Sequence, residues 1–205
     1  MSLFTESSLR TRAQTQLRTT NYGGLYESVQ TRAKTFVSGL ITEQRQFSAT
    51  QKTYDIFLSH SSTDAELVMG LKLTIEDIGY SVYIDWIEDP LLNRSQVTKE
   101  TALVLQERMK QCKSLIYAFS ENATNSKWMP WELGYFDGLK GTVAVLPISE
   151  STKWNFIGSE YLGIYNYIQI DKISGTETVT LWVYEKSDKY IIFREWLTGR
   201  KPMQR

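Results

Sequence analysis

The 205-residue sequence holds one cysteine, Cys112, and one histidine, His60. A single thiol forbids an intrachain disulfide, and together the two residues cannot build a cysteine zinc site or a multi-histidine metal centre. The absence of a possible bridge fits a reducing cytoplasm. Neither charge sign is in excess, since Lys+Arg and Asp+Glu both number 23. That removes any global case for nucleic acid or an anionic membrane surface as partner. No apolar run approaches the roughly 20 residues of a membrane-spanning helix. The opening MSLFTESSLR lacks the basic start and apolar centre of a signal peptide. Glycine-rich phosphate loops of the G-x-x-x-x-G-K-[ST] and G-x-G-x-x-G kinds are missing too, which argues against an ATPase or a dehydrogenase. The expectation is a cytoplasmic protein with no metal and no resident cofactor.

What is present divides at about residue 52. The first 52 residues carry seven basic and three acidic side chains, leaving 16 basic and 20 acidic for the rest. Asn21-Tyr22-Gly23-Gly24 is a break. Leu25, Val29, Phe36 and Leu40 then recur at near-helical spacing, which predicts a helix over about 25–45 in an N-terminal helical extension, 1–52. From Tyr54, short apolar strands alternate with helical stretches. YDIFLSH (54–60) reads as a strand, and residues 61–79 as a helix that Ser62 or Thr63 can cap and Gly79 ends. YSVYID (80–85) is a strand, WIEDPLLNRSQ (86–96) a loop and 97–111 a helix. KSLIYAFSE (113–121) is a strand buried on both faces. A helix begins near Lys127, and TVAVLPI (142–148) is the next strand. This alternation predicts βαβ units and a parallel sheet. YNYIQI (165–170) and TVTLWVY (178–184) read as further strands, and 190–199 as a closing helix or short mixed segment.

SKWMPWELGYFDG (126–138) concentrates the chemistry. Asn125 or Ser126 can cap its helix, and Pro130 falls in the first turn, where a missing N–H is harmless. Trp128 and Glu132 are four apart and share a face. The helix N-terminus favours an ionised Glu132, and the helix follows a buried strand, beyond whose carboxyl end open parallel sheets place their ligands. Ser59, His60 and Ser61 border the same edge, although Ser61 and Asp64 equally suit capping. Asp85 and Trp86 end the second strand and open its loop. Trp154 follows the fourth strand and offers a stacking surface or local packing against Phe156 and Tyr161.

YDIFLSHSSTD, GYSVYIDW and SLIYAFSENATNSKWMPWELG, in that order, resemble the TIR (Toll/interleukin-1 receptor) domain in its bacterial form. The resemblance implies an α/β, flavodoxin-like three-layer fold with a central parallel five-stranded sheet of order 2-1-3-4-5. The domain would span 53–199, with 200–205 a C-terminal tail, and YIDWIEDP would begin a mobile loop used in assembly. Enzymatic members of that family cleave NAD between nicotinamide and ribose. Their catalytic glutamate matches Glu132 and the accompanying tryptophan matches Trp128. Ser59, His60, Ser61, Asp85, Trp86 and Trp154 are then candidate contacts to the dinucleotide, with NAD a substrate and no cofactor implied. The chemistry suits the residues: nicotinamide leaves as a neutral base, and one carboxylate can stabilise the oxocarbenium-like sugar. The implied products are nicotinamide and ADP-ribose or a cyclic isomer, the latter a signal to a separate effector in a Thoeris-like antiviral system. The implied partners are NAD, other copies of the chain and that effector, with no membrane or nucleic acid. Two alternatives remain open: a non-enzymatic TIR–TIR adaptor, and a hydrolase like the nucleoside deoxyribosyltransferases.

Overall fold

The computed structural model describes residues 4–19, 53–89, 92, 98–150 and 160–205. The helix expected over 25–45 and Trp154 lie outside the described residues. The chain opens with β1 (Phe4–Thr5) and α1 (Glu6–Thr19). There follow β2 (Tyr54–Ser59), α2 (Ala65–Asp77), β3 (Val82–Tyr83), α3 (Asp85–Glu88) and α4 (Lys99–Lys110). Then come β4 (Cys112–Phe119), α5 (Trp128–Lys140), β5 (Val143–Ser149) and β6 (Asn166–Lys172). The chain ends with β7 (Val179–Lys186), β8 (Lys189–Ile192), α6 (Phe193–Trp196) and β9 (Met203–Gln204).

Strands β3-β2-β4-β5-β6 are parallel neighbours in that order. This is the expected 2-1-3-4-5 arrangement of a flavodoxin-like sheet. The strands read as continuous apolar runs because both faces are covered. Ile56, Leu58, Ile116, Ala118, Ala144 and Leu146 pack on one face with side chains of α1, α2 and α6. Phe57, Leu115, Tyr117, Val143 and Val145 pack on the other with side chains of α4 and α5.

The sheet extends past the expected five strands. β7, β8 and β9 add antiparallel to β6. The strands expected at 165–170 and 178–184 are β6 and β7. The segment expected as a closing helix or mixed stretch is β8 followed by the single helical turn α6. A turn containing Gly175 at φ 76° joins β6 to β7, a backbone conformation that glycine adopts without steric cost. The 86–96 stretch, read as loop throughout, begins instead inside the helical turn α3.

Residues 4–19 join this sheet. β1 pairs parallel with the end of β5, Phe4 opposite Ile148 and Thr5 opposite Ser149. In α1, Leu9 and Ala13 are buried and Leu17 packs beside them. Arg10 and Gln14 both bond Glu66 in the first turn of α2, and Arg12 forks onto Asp77 at 2.7 and 3.0 Å. The helices approach so closely that a Cβ on Gly70 would lie 2.0 Å from the Leu9 carbonyl oxygen. Helix propensity alone favours Ala at a helical glycine, so Gly70 marks the close approach.

Gly70→Ala should therefore lower stability, by about 1–3 kcal/mol as an overpacked contact does. Gly138→Ala on α5, where a Cβ meets nothing within 4 Å, should instead gain about 0.5–1 kcal/mol. Urea denaturation midpoints of the two variants against the parent check the opposite signs.

Candidate active site

Ser126 starts α5 by accepting a hydrogen bond at Oγ from the Met129 amide at 3.3 Å, as expected of a cap. Pro130 lies in the first turn, and Gly141 at φ 67° closes the helix. The buried face of α5 consists of Trp128, Met129, Glu132, Leu133 and Phe136. Four of these five are core side chains; the fifth is a carboxylate with 0% exposure. Burying a carboxylate is costly unless polar groups meet it. Ser59 Oγ, at the end of β2, donates to Glu132 Oε2 at 2.6 Å. The partner of Ser59 in the sheet register is Tyr117 of β4. Its phenol is pushed up to about 12 by burial, then by contact with Tyr161 and by the charge of Glu132.

A second cluster forms one residue further along. His60 Nδ1 lies 2.8 Å from the Leu58 carbonyl, and Trp86 Nε1 donates to His60 Nε2 at 3.0 Å. The indole has only a proton to give, so Nε2 accepts and Nδ1 carries the hydrogen: His60 is the neutral Nδ1–H tautomer. Asp85 Oδ1 lies 3.4 Å from Nε2. His60, Asp85 and Ser61 are all buried, and Ser61 Oγ is bonded to the Thr63 hydroxyl at 2.9 Å. Trp86 packs against the core on the α2 face, whereas Trp128 packs in the core on the α4–α5 face.

The candidate residues thus divide. Ser59 and Glu132 meet directly; His60, Asp85 and Trp86 meet one another. The backbone between Ser59 and His60 joins the two sets. Trp128 meets Trp131 edge-on at 5.4 Å, and Trp131 stacks on Tyr135 at 5.7 Å along the same helix.

Two networks missed in the sequence hold this edge in place. Capping of the 61–79 helix by Ser62 or Thr63 does not occur; no side-chain cap bond forms there. Asp64 instead accepts from Ser120 Oγ at 2.5 Å and Asn122 Nδ2 at 2.6 Å, tying the loop after β2 to the loop after β4. A long-range pair of donors outcompetes the local cap. Beyond Trp86, Tyr83 Oη donates to Asp89 Oδ2 at 2.7 Å and Tyr54 Oη to Glu88 at 2.6 Å. Arg108 of α4 forks onto Asp89, with Nε to Oδ2 at 2.8 Å and Nη2 to Oδ1 at 2.6 Å. The turn bearing Asp85 and Trp86 is thereby pinned from its far side. No local pattern links Tyr83, Asp89 and Arg108, so only the fold reveals them.

A cleft of about 140 Å³ opens between the start of α5 and the 3-10 turn Glu160–Ile164. Tyr117, Phe119, Thr124, Pro130, Tyr161 and Leu162 line it. Among the described residues no group of three or more His, Cys, Asp or Glu side chains could hold a metal ion. None of the described helices is long and apolar enough to cross a membrane.

No family model matches the chain. Its sequence is similar to that of a Bacillus cereus (strain MSX-D12) protein described as "Probable 3' cyclic ADP-D-ribose synthase ThsB'", at 43% identity over 198 residues, which cover 96% of this chain and 98% of the relative. It is also similar to a Cytobacillus dafuensis protein described as "Putative cyclic ADP-D-ribose synthase TIR2", at 30% identity over 104 residues. That match covers 50% of this chain and 27% of the longer relative.

Arg108→Ala removes both bonds to Asp89 and leaves that half-buried carboxylate short of its charged donor. It should cost about 1.5–3 kcal/mol, the range for hydrogen bonds to charged groups. Arg108→Lys, which cannot fork, should recover only part. Urea unfolding of the two variants measures both values.

Proposed function

The chain belongs to the Thoeris-type TIR-domain family of ThsB', and on that footing we propose that it cleaves the nicotinamide–ribose bond of NAD and closes the ADP-ribose half into a cyclic isomer. The observation that carries this reading is Glu132: a carboxylate on the buried face of a helix, at the carboxyl edge of a parallel sheet, oriented by the hydroxyl of Ser59.

Bond cleavage sends the glycosidic electron pair to nicotinamide, which leaves neutral and needs no general acid. Positive charge develops at the anomeric carbon. Glu132 faces that charge in surroundings of low dielectric, where a fixed carboxylate stabilises it more than water would. Ser59 keeps the carboxylate in one orientation, so little reorganisation is needed as the charge forms. A hydroxyl of the adenosine half then attacks the anomeric carbon, and its proton passes to Glu132. Attack by water gives linear ADP-ribose instead. His60, Asp85 and Trp86 act as a positioning set at the strand end that carries Ser59. Trp128 shapes the same helix face.

Glu132 has no accessible surface in this conformation, so groups above it must move before a sugar can reach it. Self-association of copies through the loop after β3 would couple that movement to assembly. On this reading the cyclic product signals to a separate effector in antiviral defence. The site of action is the cytoplasm, where Cys112, buried with its thiol pushed up to about 12 by desolvation, stays reduced and unreactive.

The burial of Glu132 favours a second reading, a TIR–TIR adaptor in which the carboxylate is purely structural. Nicotinamide release separates the two. The enzyme reading expects turnover of NAD that falls by about 10²–10³ in Glu132→Gln, the loss typical of one electrostatic stabiliser, and by less in Ser59→Ala. Wild-type protein that releases no nicotinamide at any concentration leaves only the adaptor.

A further inference from the structure

The cleft beside α5 lies next to the reacting carboxylate without opening onto it. Glu132 is not part of its lining, but Tyr117 is. Tyr117 stands opposite Ser59 in the sheet register, and Ser59 holds Glu132. The cleft is therefore one strand away from the place where the sugar would react. Tyr117, Phe119 and Tyr161 supply aromatic rings, Pro130 and Leu162 apolar sides. Tyr117 and Tyr161 also bring phenol hydroxyls to the cleft, and Thr124 adds a hydroxyl at the rim. None of the lining side chains is charged.

We propose that this cleft takes the adenine ring of the same dinucleotide whose ribose–nicotinamide unit reacts at Glu132. The inference rests on the reading of the chain as an NAD-cleaving enzyme and adds where the other end of the substrate sits. An uncharged aromatic cleft suits a neutral purine. It offers no cation to a phosphate and no anion to a cationic nicotinamide. A volume of about 140 Å³ admits one planar ring system, well below the several hundred Å³ of sites that enclose a whole drug-sized molecule. Rings stack on either purine face, and hydroxyls can donate to or accept from its edge nitrogens.

The placement also bears on cyclisation. With adenine held one strand from Glu132, the dinucleotide folds back and brings its adenosine ribose towards the anomeric carbon. After nicotinamide has left with the glycosidic electron pair, a hydroxyl oxygen of that ribose forms the new bond to the anomeric carbon, and the hydroxyl proton passes to Glu132. A dinucleotide held only at its nicotinamide end would leave that carbon to water.

Tyr161 is 44% exposed, so its replacement spares the core. The test measures nicotinamide release from NAD by full-length wild type, Tyr161→Ala and Tyr161→Phe, with AMP and NMN as inhibitors and the cyclic-to-linear product ratio read by chromatography. Loss of one base stack should raise KM in Tyr161→Ala by about 5- to 100-fold with kcat little changed. AMP should inhibit that variant more weakly, NMN as before, and the product should shift towards linear ADP-ribose. Tyr161→Phe, which keeps the ring, should stay near wild type in KM. Three results overturn the proposal while leaving NAD cleavage standing: KM unchanged in Tyr161→Ala, a fall confined to kcat, or weakened inhibition by NMN in place of AMP. Wild type that releases no nicotinamide overturns the enzyme reading and this proposal together.

Discussion

A fully buried carboxylate needs a partner, and the organisation of this molecule follows from how Glu132 gets one. The hydrogen bond from Ser59 joins the last residue of the central strand β2 to the inner face of α5, the crossover helix that follows β4. Both ends must be fixed for a bond of 2.6 Å to persist. Ser59 is fixed because β2 lies between β3 and β4, paired on both sides. Glu132 is fixed because Met129, Leu133 and Phe136 seat the same helix face in the core. A site built on a strand end and a helix keeps its geometry better than one built on loops alone. The cost of the buried charge is carried by the apolar packing around it.

The surrounding polar contacts extend the same arrangement outward. Asp64 ties the loop after β2 to that after β4. Arg108 and Tyr83 hold Asp89, and so the turn that presents Asp85 and Trp86 to His60. β1 lies along the end of β5, and α1 clasps the first turn of α2 through Glu66. Apart from the bond between Tyr83 and Asp89, each contact joins a segment bordering the carboxyl edge of the sheet to an element well removed from it in sequence. These contacts do not create the fold, which the two apolar cores supply. They limit how far the segments bordering Glu132 can drift.

Much of this was legible in the residues and some was not, for identifiable reasons. Strands buried on both faces announce themselves as runs such as SLIYAF, and the helix around Glu132 carries a serine cap, a first-turn proline and a terminal glycine. Those signals are local and strong. By contrast, α1 has only Leu9, Ala13 and Leu17 as an apolar stripe, set among Thr, Gln and Arg. Its stability comes from docking on Gly70, a contact that no window of sequence contains. Asp64 was legible as a helix cap, yet its partners lie 56 and 58 residues away. Ser59 and His60 were read as one group because they are adjacent. A strand points successive side chains to opposite faces, and the structure gives the two residues different partners.

That alternation bears on what the site can do. On the α4–α5 face the strand ends supply Ser59 and Tyr117, and with them Glu132 and the aromatic cleft. On the α2 side the loop supplies His60, Asp85 and Trp86, tied to a turn held by Arg108. The Ser59–Glu132 pair and the His60 set therefore lie on different sides of one strand end and are joined through a single peptide unit. The turn that bears Trp86 also bears Asp85, so its position sets both the bond Trp86 gives His60 Nε2 and the 3.4 Å approach of Asp85 to the same nitrogen. Glu132 is covered from every side, so any path that makes its carboxylate accessible must shift the contacts bordering it, the bond from Ser59 among them.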